Sequence, residues 1–203
     1  MPCTFTQEQL DACAAFHGHV CPGLTIGVRA AELALRAFDN PKDYEMTAVV
    51  ETDMCGVDAI QFLTGCTLGK GNLIHRDYGK MAFSFYDRRT GAGFRALLRP
   101  EVRDGMDVEM GELMNRIDAG TAAQADRDRL GELRETLRQR FLRLDLEDMF
   151  TVTELPPTPP RPAKILKSLA CEHCGESVME SRTRRFAGQT LCIPCFQEVE
   201  QKI

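Results

Sequence analysis

The stretch EMTAVVETDMCGVDAIQFLTG, residues 45–65, decides the fold. Its first half, ending at Asp53, is apolar and β-branched enough to form a buried strand. Its second half, from Gly56, reads as a short helix. A strand that runs straight into a helix calls for a sheet with helices laid on it. Cys55 stands at the junction, where the positive end of a helix favours a thiolate.

The same design occurs upstream in FHGHVCPG, residues 16–23. Proline suits the first position of a helix, so Pro22 places Cys21 at or beside an N-cap. The helix from Pro22 to about Phe38 carries Leu24, Ile26, Val28, Ala30, Ala31, Leu33, Ala34, Leu35 and Ala37 nearly all round, which predicts burial on most sides. His17, His19 and Cys21 share one face if the segment is extended and can then converge on one ion or substrate; if the chain is already turning, only some of them can. Before them, Thr6–Phe16 reads as a helix capped by Thr6, with Leu10, Cys13 and Ala14 on one face.

Downstream, KMAFSFYD (80–87) and GFRALL (93–98) read as strands, giving an α+β layer fold. The glycine-rich segment 65–80 lacks the spacing of a phosphate-binding P-loop, because Gly71 follows Lys70. Its glycines either make a tight connection on the surface or let backbone N–H groups and Lys70 approach an anionic or carbonyl-bearing ligand. Residues 101–145 are polar and helical, with Leu130, Leu133, Leu137 and Phe141 as the stripe that packs. Cys66 at the end of the Cys55 helix reads as a packed residue or one set behind the site, and Cys3, Cys13 and His75 as packing or surface residues.

Five of the ten prolines fall in LPPTPPRPA, residues 155–163, a stiff extended segment. It divides the chain into a core at 1–154 with a helical extension at about 101–149, a linker at 155–168 and a C-terminal module at 169–203. That module is too short to fold on apolar burial alone. CEHC (Cys171, Cys174) and CIPC (Cys192, Cys195) stand seventeen residues apart in it, the pattern of a zinc ribbon whose four thiolates close a tetrahedron around zinc. RRFAGQTL between the pairs reads as a hairpin, and His173 as an exposed spectator.

Composition sets limits on partners. The chain has 203 residues, 43% of them hydrophobic, and a net charge of −5, which gives no general attraction to nucleic acid or anionic membranes. In the module, Arg182, Arg184, Arg185 and Lys202 are balanced by five glutamates, favouring protein contacts over nucleic acid. No apolar run reaches the ~20 residues of a membrane span, the first residues lack a basic region followed by an apolar core, and nine cysteines with two C-x-x-C pairs suit metal in a reducing compartment. The expectation is a cytoplasmic protein.

The motifs FHGHVCPGLTIGVRAAELAL, VVETDMCGVDAIQFLTGCTLGKGNL and DYGKMAFSFYDRRTGAGFR, with the trailing ribbon, resemble the FmdE family, which takes its name from formylmethanofuran dehydrogenase and includes stand-alone relatives. The resemblance covers most of residues 5–100 and, separately, the ribbon. It implies homodimers and association with a molybdenum or tungsten dehydrogenase that reduces carbon dioxide onto methanofuran. It also places a Cys/His core site on His17, His19, Cys21 and Cys55, with Cys66, Gln61, Lys70 and Asn72 as neighbours. The expected cofactors are zinc in the ribbon and a second ion, again zinc, in the core site. Cys21, Cys55 and Lys70 are the candidate catalytic groups. An enzyme or accessory redox subunit, a metal or cofactor delivery module for a large redox enzyme, and a purely structural subunit are the functions this leaves open.

Overall fold

The computed structural model describes residues 2–200, so Lys202 lies outside them. The chain forms two compact units, Met1–Pro162 and Ala163–Ile203. As the sequence leads one to expect, the first combines helices with a sheet.

Helix α1 (Gln7–His17) is capped as expected: Thr6 accepts from the Gln9 N–H, and the Gln9 side chain accepts from the Thr6 N–H. Gly18, at φ 92°, ends it in the left-handed conformation that glycine adopts without strain. Helix α2 (Pro22–Ala37) starts at Cys21 and is buried almost continuously from Leu24 to Glu32. That burial includes an ion pair the composition does not announce. Arg29 lies 2.7 Å from Glu32, donates to the Leu144 carbonyl at 2.6 Å, and Glu32 accepts from the Thr4 N–H and hydroxyl. The pair ties the first residues and the far end of the helical region to the middle of α2.

Strand β1 (Met46–Val50) leads into α3 (Gly56–Thr64) and then β2 (Leu73–His75), which pairs parallel with β1. β1 stops at Val50 rather than at Asp53. Its extension is held instead by single contacts: the Glu51 N–H donates to Ala82, and the Glu51 carboxylate takes both arms of the Arg95 guanidinium at 2.6 and 2.8 Å. Arg95 thereby holds the Glu51 carboxyl below the usual carboxylate range. β2 falls within the segment read as a glycine loop, and so corrects that reading for residues 73–75.

β3 (Ala82–Asp87) and β4 (Gly93–Leu98) follow as an antiparallel hairpin. The helical extension then resolves into α4 (Met106–Asp118), α5 (Gln124–Arg143) and the short α6 (Leu146–Met149). A fifth strand, β5 (Phe150–Leu155), pairs with β4 and gives the order β2-β1-β3-β4-β5. One sheet face carries Met46, Ala48, Val50, Phe83, Phe85, Phe94 and Ala96, packed against Ile26, Ala30 and Ala34 of α2, Ile60 of α3, and Leu137 and Phe141 of α5. α2 is the spine of this layer, packed on both α3 and α5. It meets α3 at two glycines: a Cβ built on Gly27 would stand 2.1 Å from the Gly56 carbonyl oxygen. That close approach brings Cys21 and Cys55, the N-caps of α2 and α3, to the same place.

In the second unit β6 (Ser168–Ala170) pairs with β7 (Ser177–Met179), and β8 (Thr183–Phe186) with β9 (Gln189–Cys192). The β8–β9 turn is Ala187-Gly188, both at positive φ, as a tight two-residue hairpin requires. Helix α7 (Ile193–Val199) closes the unit, so the second cysteine pair opens a helix. No helix among the described residues is long and apolar enough to cross a membrane.

Candidate metal centres

In the C-terminal unit the four thiols are the core. Cys171, Cys192 and Cys195 are buried with Leu191, and the donor atoms of all four cysteines lie within 4.8 Å of one another. The Cys192 N–H donates to the Cys171 sulfur at 3.3 Å. A hydrogen bond from the Cys174 N–H and then this one hold the Cys171 thiol down at about 6, while contact with Cys192 and then burial push the Cys195 thiol up. Four thiols crowded this closely, with Cys174 and Cys192 sulfurs 3.9 Å apart, fit a tetrahedral zinc, which takes all four as thiolates. His173 is exposed on the first turn.

The core unit holds a second cluster, and the elements explain how. His17 is the last residue of α1, Gly18 reverses the chain, and Cys21 is the extended N-cap of α2 at φ −151°. The three residues therefore meet across a helix end and a turn, not along an extended run. Cys55 comes from the start of α3 across the Gly27–Gly56 contact. Gly23 leaves room for it, since a Cβ there would lie 3.3 Å from the Cys55 Cβ. The donor atoms of His17, His19, Cys21 and Cys55 lie within 4.8 Å of one another.

The surroundings orient these donors. Nδ1 of His17 is 2.7 Å from Asp58 Oδ2, and Nε2 is buried with no partner among the described residues. A carboxylate on one ring nitrogen leaves the other as the free lone pair, the arrangement that metal-bound imidazoles adopt. Cys21 Sγ accepts the Leu24 N–H at 3.2 Å. Its surroundings act against the thiolate that the helix start alone favours. Burial pushes the Cys21 thiol up, and the Cys55 thiol beside it adds to that; the Leu24 N–H at the helix start opposes them without prevailing. Two facing thiols and a lone imidazole nitrogen with no proton to share fit a divalent, zinc-type ion, which stabilises both thiolates at once.

A cleft of about 430 Å³ adjoins the cluster at the carboxyl ends of the two parallel strands. His17 and Cys55 face it, with Asp53, Asp58 and His75 as its other titratable lining and Met54, Val57, Leu68 and Leu73 as its apolar lining. His75, expected to be a packing or surface residue, stands on this cleft at the end of β2. Reading the sequence alone passes over Asp58, although an acidic residue in the first turn of the Cys55 helix is the signal that marks it. Lys70 is exposed in the turn after Leu68, its N–H on the Thr67 hydroxyl at 3.3 Å. Asn72 and Gln61 brace that turn: Asn72 accepts from Thr67 and donates to the Met46 carbonyl, and Gln61 accepts from Leu68. Cys66 is fully buried in the main core, in keeping with a packing role.

Residues 16–151 match the family described as FmdE, molybdenum formylmethanofuran dehydrogenase operon. The chain belongs to the FmdE family. The FmdE match opens one residue before His17 and ends inside β5, so it takes in the whole core cluster, the cleft and all of the sheet but the rest of β5. Residues 164–201 match the prokaryotic dksA/traR C4-type zinc finger, and the second unit is a zinc-binding module of that kind. A solved relative from Syntrophus aciditrophicus, described as a tungsten formylmethanofuran dehydrogenase FmdE-like protein, is 25% identical with a TM-score of 0.62, over 96% of this chain and 94% of that one. A probable S-adenosyl-L-methionine-binding protein of Archaeoglobus fulgidus is 32% identical over 188 residues, which is 89% of this chain and 50% of that protein. The chain thus spans about half the length of this curated relative.

Proposed function

We propose that this FmdE-family protein holds a divalent, zinc-type ion in its core on His17, His19, Cys21 and Cys55, and that it serves molybdenum or tungsten formylmethanofuran dehydrogenase-type one-carbon metabolism as an accessory protein. The observation that carries the core site is the buried Nε2 of His17, which has no partner among the described residues and is fixed from behind by Asp58 beside two thiols. The family name supports the metabolic link. When bound, the ion supplies Lewis acidity toward a carbonyl or thiol. The chain's own residues do the rest. Asp58 sets the His17 tautomer, the α2 and α3 starts present the thiols, and Asp53 and His75 stand on the cleft as groups able to take or give a proton beside a ligand. A homodimer working with a large redox enzyme is part of the same proposal.

Counting metal tests it. The wild-type chain should bind two equivalents of zinc, and Cys21→Ala one, with unchanged far-UV circular dichroism. A single equivalent in the wild type, lost only when the Cys171/Cys174/Cys192/Cys195 set is replaced, would defeat the core site.

One observation favours a second reading of the cleft. Its lining has the carboxylates Asp53 and Asp58 and several apolar side chains but no lysine or arginine, which suits a cationic ligand with an apolar body. A sulfonium such as S-adenosylmethionine has that chemistry, and the Archaeoglobus relative carries it in its name. Calorimetry with S-adenosylmethionine should then give saturable binding that weakens about tenfold in Asp53→Asn, the loss of one charge-assisted contact. Absence of binding to the zinc-loaded wild type eliminates this reading.

A further inference from the structure

The four donors of the core cluster are not held alike. His17 lies in the last turn of α1 with a side chain 10% exposed and one ring nitrogen fixed by Asp58. Cys21 is fixed by its own helix, through the Leu24 N–H. Cys55 caps α3 and packs in an apolar cluster with Cys13, Leu24 and Ala59. All three are set by rigid elements and their packing.

His19 differs on each count. It sits in the short turn between α1 and α2, after Gly18 in its left-handed conformation, and it is exposed. Among the described residues no hydrogen bond holds its ring, which rests tilted against His17 with centroids 4.5 Å apart. Neither His19 nor Cys21 lines the cleft, whereas His17 and Cys55 do.

Resting on the metal-site reading above, we infer that His19 is an exchangeable fourth ligand, and that His17, Cys21 and Cys55 alone retain the ion. Three anchored protein donors with one vacated position is the coordination of catalytic zinc sites, whereas four fixed donors make a closed, structural one. An unanchored imidazole lets one centre take both forms. The chain needs only to rotate the His19 side chain into solvent, with no rearrangement of a helix. Two thiolates already balance the charge of a divalent ion. The position His19 leaves therefore takes a neutral nitrogen donor or a thiol more readily than it takes a further anionic carboxylate.

The test uses the full chain loaded with Co²⁺, from whose spectrum that of Cys21→Ala, carrying the ribbon contribution alone, is subtracted. Metal affinity is read by competition with a chelator, and imidazole is the probe for the vacated position. His17→Ala should weaken the core ion by about 100-fold or more, and His19→Ala by no more than about tenfold. Added imidazole should shift the His19→Ala spectrum back toward that of the wild type. Because His17 is partly buried, Asp58→Asn provides a second arm with less risk to the fold, and it should weaken the ion more than His19→Ala does. Equal losses for the His17 and His19 variants, or a His19→Ala spectrum that ignores imidazole, would overturn the inference. A wild-type chain whose spectrum equals that of Cys21→Ala overturns the metal-site reading itself, a distinct result.

Discussion

Gly27→Ala is expected to destabilise the core unit by about 3 kcal/mol, the upper end of what overpacking costs. Helices α2 and α3 touch backbone to backbone here, and the added methyl would stand 2.1 Å from the Gly56 carbonyl oxygen and 2.5 Å from its Cα. Neither atom can rotate away as a side-chain tip could. The helices must part, and their separation moves Cys21 from Cys55. The variant should therefore lose the proposed core metal equivalent even where it stays folded. Gly131→Ala is the control. It lies exposed in the interior of α5 with nothing within 4 Å of a new Cβ, so alanine should stabilise by about 0.5–1 kcal/mol through helix propensity. Denaturant melts of the two variants should move in opposite directions. A Gly27→Ala chain as stable as the wild type would refute the contact.

Stripping zinc from the C-terminal unit should have the larger effect on a smaller region. Among the described residues, Leu191 is the one buried large apolar side chain that the four-thiol cluster packs against, with Val178 and Phe196 half-buried beside it. So small an apolar core does not offset the chain entropy of some forty residues. Structural zinc contributes roughly 10–16 kcal/mol in comparable sites, so without it this unit has no folded state. A chelator strong enough to remove the zinc, or Cys195→Ser, should collapse the amide dispersion of residues 163–200 in an NMR spectrum. The main-sheet resonances, with their own apolar core, should persist. A dispersed spectrum for 163–200 after complete zinc removal would contradict this.

The site is more legible in the sequence than the sheet is. Cysteines at two helix starts and the Cys-x-x-Cys pairs are visible because each residue type serves a narrow chemistry at a fixed spacing. β2 escapes notice because three residues inside a glycine-rich segment carry too little periodicity, and only pairing with β1 makes them a strand. β5 escapes because it emerges from a helix and runs into prolines, and its residues Thr151–Glu154 are exposed in a pattern no alternation announces. The upward push on the Cys21 thiol is hidden for a different reason. A helix start is local and can be read from Pro22, whereas the opposing influences, burial and the Cys55 thiol, are tertiary. Asp58 and His75 likewise acquire their places only when α3 and β2 fold over the cleft.

β4 and β5 are neighbours in the sheet although residues 99–149 separate them in the chain. On a ribosome adding about 5–20 residues per second, the last donor of the core cluster, Cys55, is made roughly 5–20 s before β5. During that interval the sheet lacks its closing edge and α2 lacks the cover that α5 provides. The nascent protein thus passes through a window in which its imidazoles and thiols are complete but poorly shielded. If the proposed core ion is taken up in that interval, its identity follows what the cell supplies during translation rather than the geometry of the finished scaffold.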